Sequence, residues 1–426
     1  MSYFLLKKEV ETADRIKGEL FFILLVLMKI TEHPMETVKK IFTALFLCII
    51  SFYIYAADSS FSSFAGASID MIPNQGEAPS LLVKGVYEGQ YNISNRFLFR
   101  GNFFVRTDNI IENGLFQDTP AYFTINELSA GFRFSANTVT QQLTFFIGSH
   151  ESFGSDDFLS QHLSTKDVGS ALLTPMLSLS SISMYDYSGF GMAYDIKLAA
   201  PVAFGFYCYY DKKFDYKNIN GDFRLAAAGS SAIVDIGAGL TLPVETEDDA
   251  GNEVFLLIRR ADFHGGFSIL LGNNPITNLF IQAGVLRIQT KPLPDMTMLS
   301  LDDLYIFVEP RFTTEYLNCS ISFFCMPEER VKKLNFITQS IGCDLKLETP
   351  DFMAFKTGAT AGVHFSVSSP SLSSGFSMEK LDFQVSPYLN VKILSGTLDT
   401  AVYFHPLALT DISKLFSFTI GYKVCL

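Results

Sequence analysis

The sequence predicts an all-β protein: a transmembrane, antiparallel, up-and-down β-barrel of about 18 strands. Three observations carry that expectation. Apolar residues are abundant but dispersed. From about residue 61 onward they alternate with polar residues at period 2. The stretches that join the alternating segments are short and long by turns.

Hydrophobic residues make up 48% of the 426 and charged residues 18%, with a mean hydropathy of +0.24. That is apolar for a water-soluble β protein. Beyond residue 60, no apolar run approaches the ~20 residues that a membrane-spanning helix needs. The chain has 42 Phe, 18 Tyr and no Trp, and aromatics of this kind suit strands and the interfacial girdles of membrane barrels.

Charge excludes one class of partner. The net charge is −12 and no Lys/Arg block exists to neutralise phosphates, so nucleic acid is not expected as a ligand. The acidic clusters (Glu245, Glu247, Asp248 and Asp249; Asp302 and Asp303) read as solvated loops rather than metal sites. The cysteines are Cys48, Cys208, Cys319, Cys325, Cys343 and Cys425, with no CxxC and no framework spacing. Cys319 and Cys325 share a strand face, but six residues of strand span ~20 Å, too far for a bond. They read as small apolar fillers.

The N-terminal region is set apart from the rest. Lys39 and Lys40 precede the apolar run from Ile41 to Tyr55, and Ala56 and Ala57 supply small residues before Asp58. This is the pattern of a secretory signal peptide over 35–57. A lipoprotein reading through Cys48 would cut the apolar run in half. Residues 1–34, with a shorter apolar run from Leu20 to Met28, read as a mis-annotated upstream extension with translation starting at Met35. The mature fold is expected over 58–426.

Individual strands are explicit. In Lys380 to Leu394, Leu381, Phe383, Val385, Leu389, Val391 and Ile393 fall on one face; Asp382, Gln384, Ser386, Asn390 and Lys392 fall on the other. In Arg96 to Thr107, Phe97, Phe99, Phe103 and Val105 oppose Arg100, Asn102 and Arg106. Met353 to Val367 repeats the theme. Such segments run to ~10–14 residues, longer than the usual soluble strand of ~5–6 and enough to cross a bilayer at a tilt. That excess length separates a membrane barrel from a soluble sandwich.

Short turns at Ser94-Asn95, Asn137-Thr138, Ala200-Pro201, Gly229-Ser230, Thr349-Pro350 and Ser395-Gly396 alternate with longer stretches. The longer ones are 73–79, 108–125, 151–187, 243–252, 291–302, 368–379 and 405–414. Following this parity from both ends yields about 18 strands, from Phe61–Ile72 to Leu415–Leu426, with about 16 as the alternative count. The least defined stretches are 254–271, which holds one strand or two, and the joint at Tyr316 to Asn318.

The last strand sharpens the reading. Phe418, Ile420, Tyr422, Val424 and Leu426 occupy every second position up to the carboxyl end. This resembles the C-terminal assembly signature of bacterial outer-membrane β-barrels of the porin type, although that family usually ends in an aromatic residue where this chain has Leu426. The resemblance covers 58–426 as an architecture and picks out no subfamily. It implies the outer membrane of a diderm bacterium as location. The partners it implies are outer-membrane lipid, the barrel-assembly machinery and small solutes, and it leaves a homo-oligomer open.

A barrel of about 18 strands encloses a lumen too wide for its own side chains to fill, so it is a water channel or it is plugged. Diffusion of small polar solutes follows from the first case. Charges on the lumen face set selectivity in such a channel, and the polar faces carry Lys84, Glu88, Arg100, Arg106, Glu127, Arg133, Asp195 and Lys197. A basic ladder opposed by acids is similar to the constriction of porins. The stretch 151–187, third of the long connections, resembles the porin loop that folds into the channel. Leu159, Leu163, Leu172, Leu173, Met176 and Leu177 make it too apolar for a disordered tether.

No enzyme is expected. His364 and Ser366 share a strand face, as lumen alternation gives by default, and no nucleophile elbow, HExxH, P-loop or dinucleotide fingerprint is present. His150, His162, His264 and His405 are scattered without ligand spacing, so neither a metal nor a cofactor is expected. Two other readings compete with a pore: a fatty-acid-type transporter of ~14 strands with residues 58–80 as a plug, and a surface adhesin or antigen.

Overall fold

The computed structural model describes residues 59–425 except 73–78, 94–95, 114–119, 137, 166–167, 174–182, 214–215, 248–250, 273–275, 291–297, 333, 335–336, 351–354, 368–377 and 410–411. The expected signal segment 35–57, the upstream stretch 1–34 and Leu426 lie outside the described residues.

Alternation in the sequence becomes a single closed antiparallel sheet. Its first half comprises β1 (Ser59–Ile72), β2 (Ser80–Ile93), β3 (Phe97–Thr107), β4 (Ala121–Ala136), β5 (Val139–Ser149), β6 (Ser188–Lys197), β7 (Val202–Lys213), β8 (Tyr216–Ala228) and β9 (Ala232–Glu247). The next strand, β10, comes in two collinear pieces, Glu253–Ile258 and Asp262–Leu271. Both pair with β9, Ile258 opposite Val244 and Asp262 opposite Thr241, so the stretch left open between one strand and two is one wall strand broken at 259–261. The second half continues with β11 (Thr277–Gln289), β12 (Leu304–Thr313), β13 (Asn318–Cys325), β14 (Ile341–Glu348), β15 (Phe355–Val367), β16 (Met378–Ile393), β17 (Gly396–Phe404) and β18 (Phe416–Cys425).

Every strand pairs with its sequence neighbours, and β18 returns to β1 with Gly66 opposite Lys423 and Asp70 opposite Thr419. Closure leaves no free edge, which is how a sheet satisfies its backbone groups where water is absent. The strands hold between 8 and 16 residues. Of the segment 58–80 considered as a plug, residues 59–72 form a wall strand, while 58 and 73–78 lie outside the described residues.

Period 2 sends the apolar set outward. Phe97, Phe99, Phe145, Ile147, Phe190, Phe323 and Leu381 are exposed on the outer surface. Phe418, Ile420 and Tyr422 share that face of the last strand, while Ser417 and Thr419 turn inward and are buried. A continuous exposed apolar face of this extent suits hydrocarbon, not water. No helix among the described residues is long and apolar enough to cross a membrane; the crossing elements are strands.

Connections at one end of the barrel are short (94–96, 137–138, 198–201, 229–231, 272–276, 314–317, 349–354 and 394–395). Those at the other end are longer except for 214–215 and 248–252. Thr314 to Leu317, the undefined joint, is a tight turn closed by the Thr314 amide on the Leu317 carbonyl at 2.9 Å. One long connection, 326–340, is absent from the sequence expectation and carries a short helix, α3 (Glu328–Val331). Two other one-turn helices, α1 (Ile110–Asn113) and α4 (Ile412–Leu415), lie in connections at the same end.

Candidate functional site

The site is the barrel interior. Its largest feature is the connection 150–187, whose helix α2 (Asp157–Leu163) and flanking segments are packed inside. Phe153, Phe158, Leu159, Val168, Leu172, Leu173, Met184 and Tyr187 are buried together with wall residues Phe146, Tyr207, Phe280, Phe307 and Phe324. Burying one such side chain is worth roughly 1.5–3 kcal/mol, so the described part of this segment is held by a core of its own.

Backbone freedom lets the chain leave the wall. Gly148 sits at φ +91°, where an added Cβ would lie 2.2 Å from the Asn126 carbonyl oxygen, and Glu151 adopts φ +44°. A non-glycine residue there is uncommon and strained. Glycines of the wall then receive the segment: the Met184 sulfur occupies the space a Cβ would take at Gly266 and Gly284, and the Phe153 ring lies against Gly237.

Buried charges fix the segment in register. Arg224 on β8 is fully buried and grips Asp235 on β9 bidentately, Nε to Oδ1 at 2.9 Å and Nη2 to Oδ2 at 2.7 Å. Its remaining protons reach the loop carbonyls of Glu151 (2.6 Å) and Ser155 (3.3 Å), and its plane lies 4.5 Å from the Phe158 ring centre. Glu309 on β12 accepts from Ser170 Oγ at 2.7 Å, the Ala171 amide at 2.8 Å and Arg311 Nε at 2.6 Å. Lys346 on β14 donates to the Ala171 carbonyl at 2.8 Å, and Gln282 on β11 to the Gly154 carbonyl at 3.0 Å. The anchors therefore run from β8 round to β14.

At its start the segment meets β4 and β7. His150 Nδ1 donates to Glu127 Oε1 at 2.7 Å; Glu151 receives His162 Nε2 at 3.2 Å and the Tyr207 hydroxyl at 3.1 Å. Burial opposes charge on Glu151, yet His162 and His150 hold its carboxyl below the ordinary range. Burial likewise opposes protonation of His150, but Glu151 and Glu127 outweigh it and raise the imidazole. Burial pushes Asp157 up, against Arg100 and with help from Glu127 and Glu151.

The eight lumen candidates of the sequence all point inward, but they do not form one ring. Arg100 on β3 donates to Gln90 at 3.0 Å and interacts electrostatically with Glu88, Glu127 and Asp157. Arg106 is exposed near the long-loop rim, 5.7 Å from the Tyr122 ring centre. Arg133 lies toward the short-turn rim and donates to Gln142 at 2.9 Å. Lys84 pairs with Asp70 on β1 at 2.6 Å. Lys197 and Asp195 lie on β6 opposite Thr140 and Gln142, with Lys197 half-buried and Asp195 buried. The three arginines thus step along the barrel axis on two adjacent strands, with one of them at the level of α2.

His364 and Ser366 share the inner face as expected, and both ring nitrogens of His364 are engaged by Asp344 (2.9 Å) and Thr338 (3.1 Å). Sequence reasoning missed Arg224, Glu309, Arg311 and His150. A buried arginine at an inward position of a strand looks like any lumen charge until the loop it binds is in place.

No family model matches the sequence, and no curated protein does. Among solved structures, the fold is similar to a protein described under "Asymmetric conductivity of engineered proteins", with TM-score 0.44, 11% identity, and 87% of this chain and 100% of that chain covered. It is also similar to a triple mutant of the Rhodopseudomonas blastica porin, with TM-score 0.42, 10% identity, and 86% and 100% covered. Likeness at this level adds nothing to the strand pairing itself. By that pairing and by the apolar outer face, the chain is a closed, antiparallel β-barrel of 18 strands with a long connection folded inside.

Proposed function

We propose that the protein is an outer-membrane channel through which small polar solutes diffuse, narrowed by the connection 150–187 and acting without catalysis. The observation that carries this reading is the combination of a closed 18-strand barrel with a long connection anchored inside it. A barrel of that strand number leaves an interior its own side chains do not fill. The anchors of the connection run from β4 round to β14, while Lys84, Glu88 and Arg100 line the arc formed by β2 and β3. Solutes pass between the two, past Asp157 and the exposed Ser160 of α2 on one side and Arg100 on the other.

Single-channel recording in planar bilayers tests this. Folded protein is expected to conduct, and deleting the middle of 151–187 to raise conductance. Neutralising Arg100, Arg106 and Arg133 together is expected to shift preference toward cations, because fixed positive charge leaves an aqueous path. Arg100 accounts for most of that shift, being the one at the level of α2. Well-folded protein without any conductance removes the channel reading.

A further inference from the structure

On two buried residues inside the barrel, polar atoms are left without a hydrogen bond. Both carboxylate oxygens of Asp195 and the Nε2 of His150 are inaccessible to solvent and lack a hydrogen bond. They are not far apart. His150 Nε2, a Glu151 carboxylate oxygen and an Asp195 carboxylate oxygen lie within 4.8 Å of one another, with His150 Nε2 to Glu151 Oε2 at 3.9 Å. All three residues are buried, none more than 3% exposed.

Two carboxylates that converge out of water repel each other and pay for desolvation. A carboxylate without any hydrogen bond is the costliest arrangement of all, and a cation removes that cost. We infer that His150, Glu151 and Asp195 form a binding site for a divalent first-row metal ion of the Zn²⁺ class, which ties the start of the inward connection to β6.

The surroundings of His150 fit a ligand. Its Nδ1 donates to Glu127 Oε1 at 2.7 Å, and Glu127 in turn accepts from Ser129 Oγ at 2.7 Å. A carboxylate on one imidazole nitrogen fixes the tautomer and leaves the other nitrogen's lone pair for a metal. Glu151 is oriented in the same way by Tyr207 and His162. Mixed imidazole and carboxylate donors suit Zn²⁺, Mn²⁺ or Fe²⁺ better than Ca²⁺, which prefers oxygen alone. Tetrahedral bonds of ~2.0–2.2 Å place neighbouring donors roughly 3.4 Å apart, so the side chains close by up to about an ångström and a half on binding.

Local charge also favours a dication. Glu127, Glu151, Asp157 and Asp195 outnumber Arg100 and Arg224, the cations that face them from β3 and β8, with His150 and His162 the remaining bases. Protons are the competing occupants, so metal binding releases protons and weakens as pH falls.

The full chain, folded in detergent and stripped with a chelator, is titrated with Zn²⁺ by calorimetry, and bound metal is counted by mass spectrometry. One Zn²⁺ per chain is expected, with Ca²⁺ at least tenfold weaker. Asp195→Asn, still heat-modifiable on gels, is expected to lose at least a hundredfold in Zn²⁺ affinity. Glu127→Gln, which touches no metal, should lose roughly ten- to a hundredfold. If Asp195→Asn does not fold, His150→Gln takes its place under the same criterion. The site is overturned if stripped wild-type protein binds no stoichiometric Zn²⁺. It is equally overturned if a folded variant binds as tightly as wild type, because the metal then sits on adventitious surface groups and the unpartnered carboxylate is simply protonated.

Discussion

Two connections turn into this barrel, and they are held there by different physics. The longer, 150–187, is fixed by buried ions as well as by its apolar core: Arg224 with Asp235, Glu309 with Arg311, and Lys346 on the Ala171 carbonyl. The shorter, 326–340, rests on Met326, Val331, Leu334 and Ile337, all buried. Its polar contacts include the Met326 amide on the Ser340 carbonyl at 2.8 Å, Thr338 on Asp382 at 2.8 Å and on His364 at 3.1 Å, and Arg330 on Asp186 at 2.7 Å, but no buried guanidinium fork onto the wall is among those described. Apolar packing is indifferent to direction, whereas a guanidinium fork fixes position and angle. The longer connection is therefore the positioned one and the shorter one its backing.

The sharpest way to break that contrast is at Arg224. Arg224→Met leaves Asp235 buried without its partner and frees the loop carbonyls of Glu151, Ser152 and Ser155. A loss of about 3–5 kcal/mol is expected, as for other buried pairs broken on one side. Denaturant unfolding in detergent measures it, and single-channel conductance should rise as the segment loosens. A stability equal to wild type would mean that the apolar core alone positions the connection.

The matching change in the shorter connection is Met326→Ala. It removes a side chain 1% exposed, for a loss of about 2–3 kcal/mol. Conductance should change little, since the anchors of the longer connection remain. A conductance rise as large as that from Arg224→Met would show that the backing, not the ionic clamp, sets the aperture.

Acidity separates the two connections by a different route, because Met326 and Ile337 carry nothing to titrate while His150 and Glu151 do. The depressed carboxyl of Glu151 contributes stability above the ordinary glutamate value of ~4.3, lost as pH falls through its lower folded value. The raised imidazole of His150 contributes fully below ~6.5 and loses that contribution as pH rises through its folded value. With chelator present, the start of 150–187 is thus held best between ~4.3 and ~6.5. Open-channel noise should grow on the alkaline side. A flat pH profile, or an identical one in His150→Gln, rejects this.

The difference between the connections also explains what the sequence reveals. Strand faces were legible because one buried and one lipid-exposed face impose strict period 2, as in Leu381, Phe383 and Val385. The strand number followed from turn parity, and the longer connection from sheer length with leucines. The shorter one was hidden because Val331, Leu334 and Ile337 recur at intervals of three inside a chain read at period 2. The eight inward charges were legible as a face and not as a site. Whether Asp195 sees solvent or His150 depends on where residue 150 leaves the wall, and a left-handed Glu151 leaves no mark in a sequence.

Among the described residues, one ion pair joins the two connections, and it carries the smallest expected effect. Arg330 Nη1 lies 2.7 Å from Asp186 Oδ2, with Asp186 about one-fifth exposed. Partly solvated pairs contribute roughly 0.2–1 kcal/mol, so Asp186→Asn and Arg330→Met should each cost little beyond lost packing. The informative quantity is their coupling in a double-mutant cycle, which cancels changes private to either residue. If the longer connection is positioned by the wall and the shorter one merely backs it, the coupling stays within about 0.2–1 kcal/mol and the double variant keeps wild-type conductance. A coupling of about 2–3 kcal/mol, accompanied by a change in conductance, would mean that the two connections form one unit. The contrast between ionic clamp and apolar backing would then have to be redrawn around Arg330.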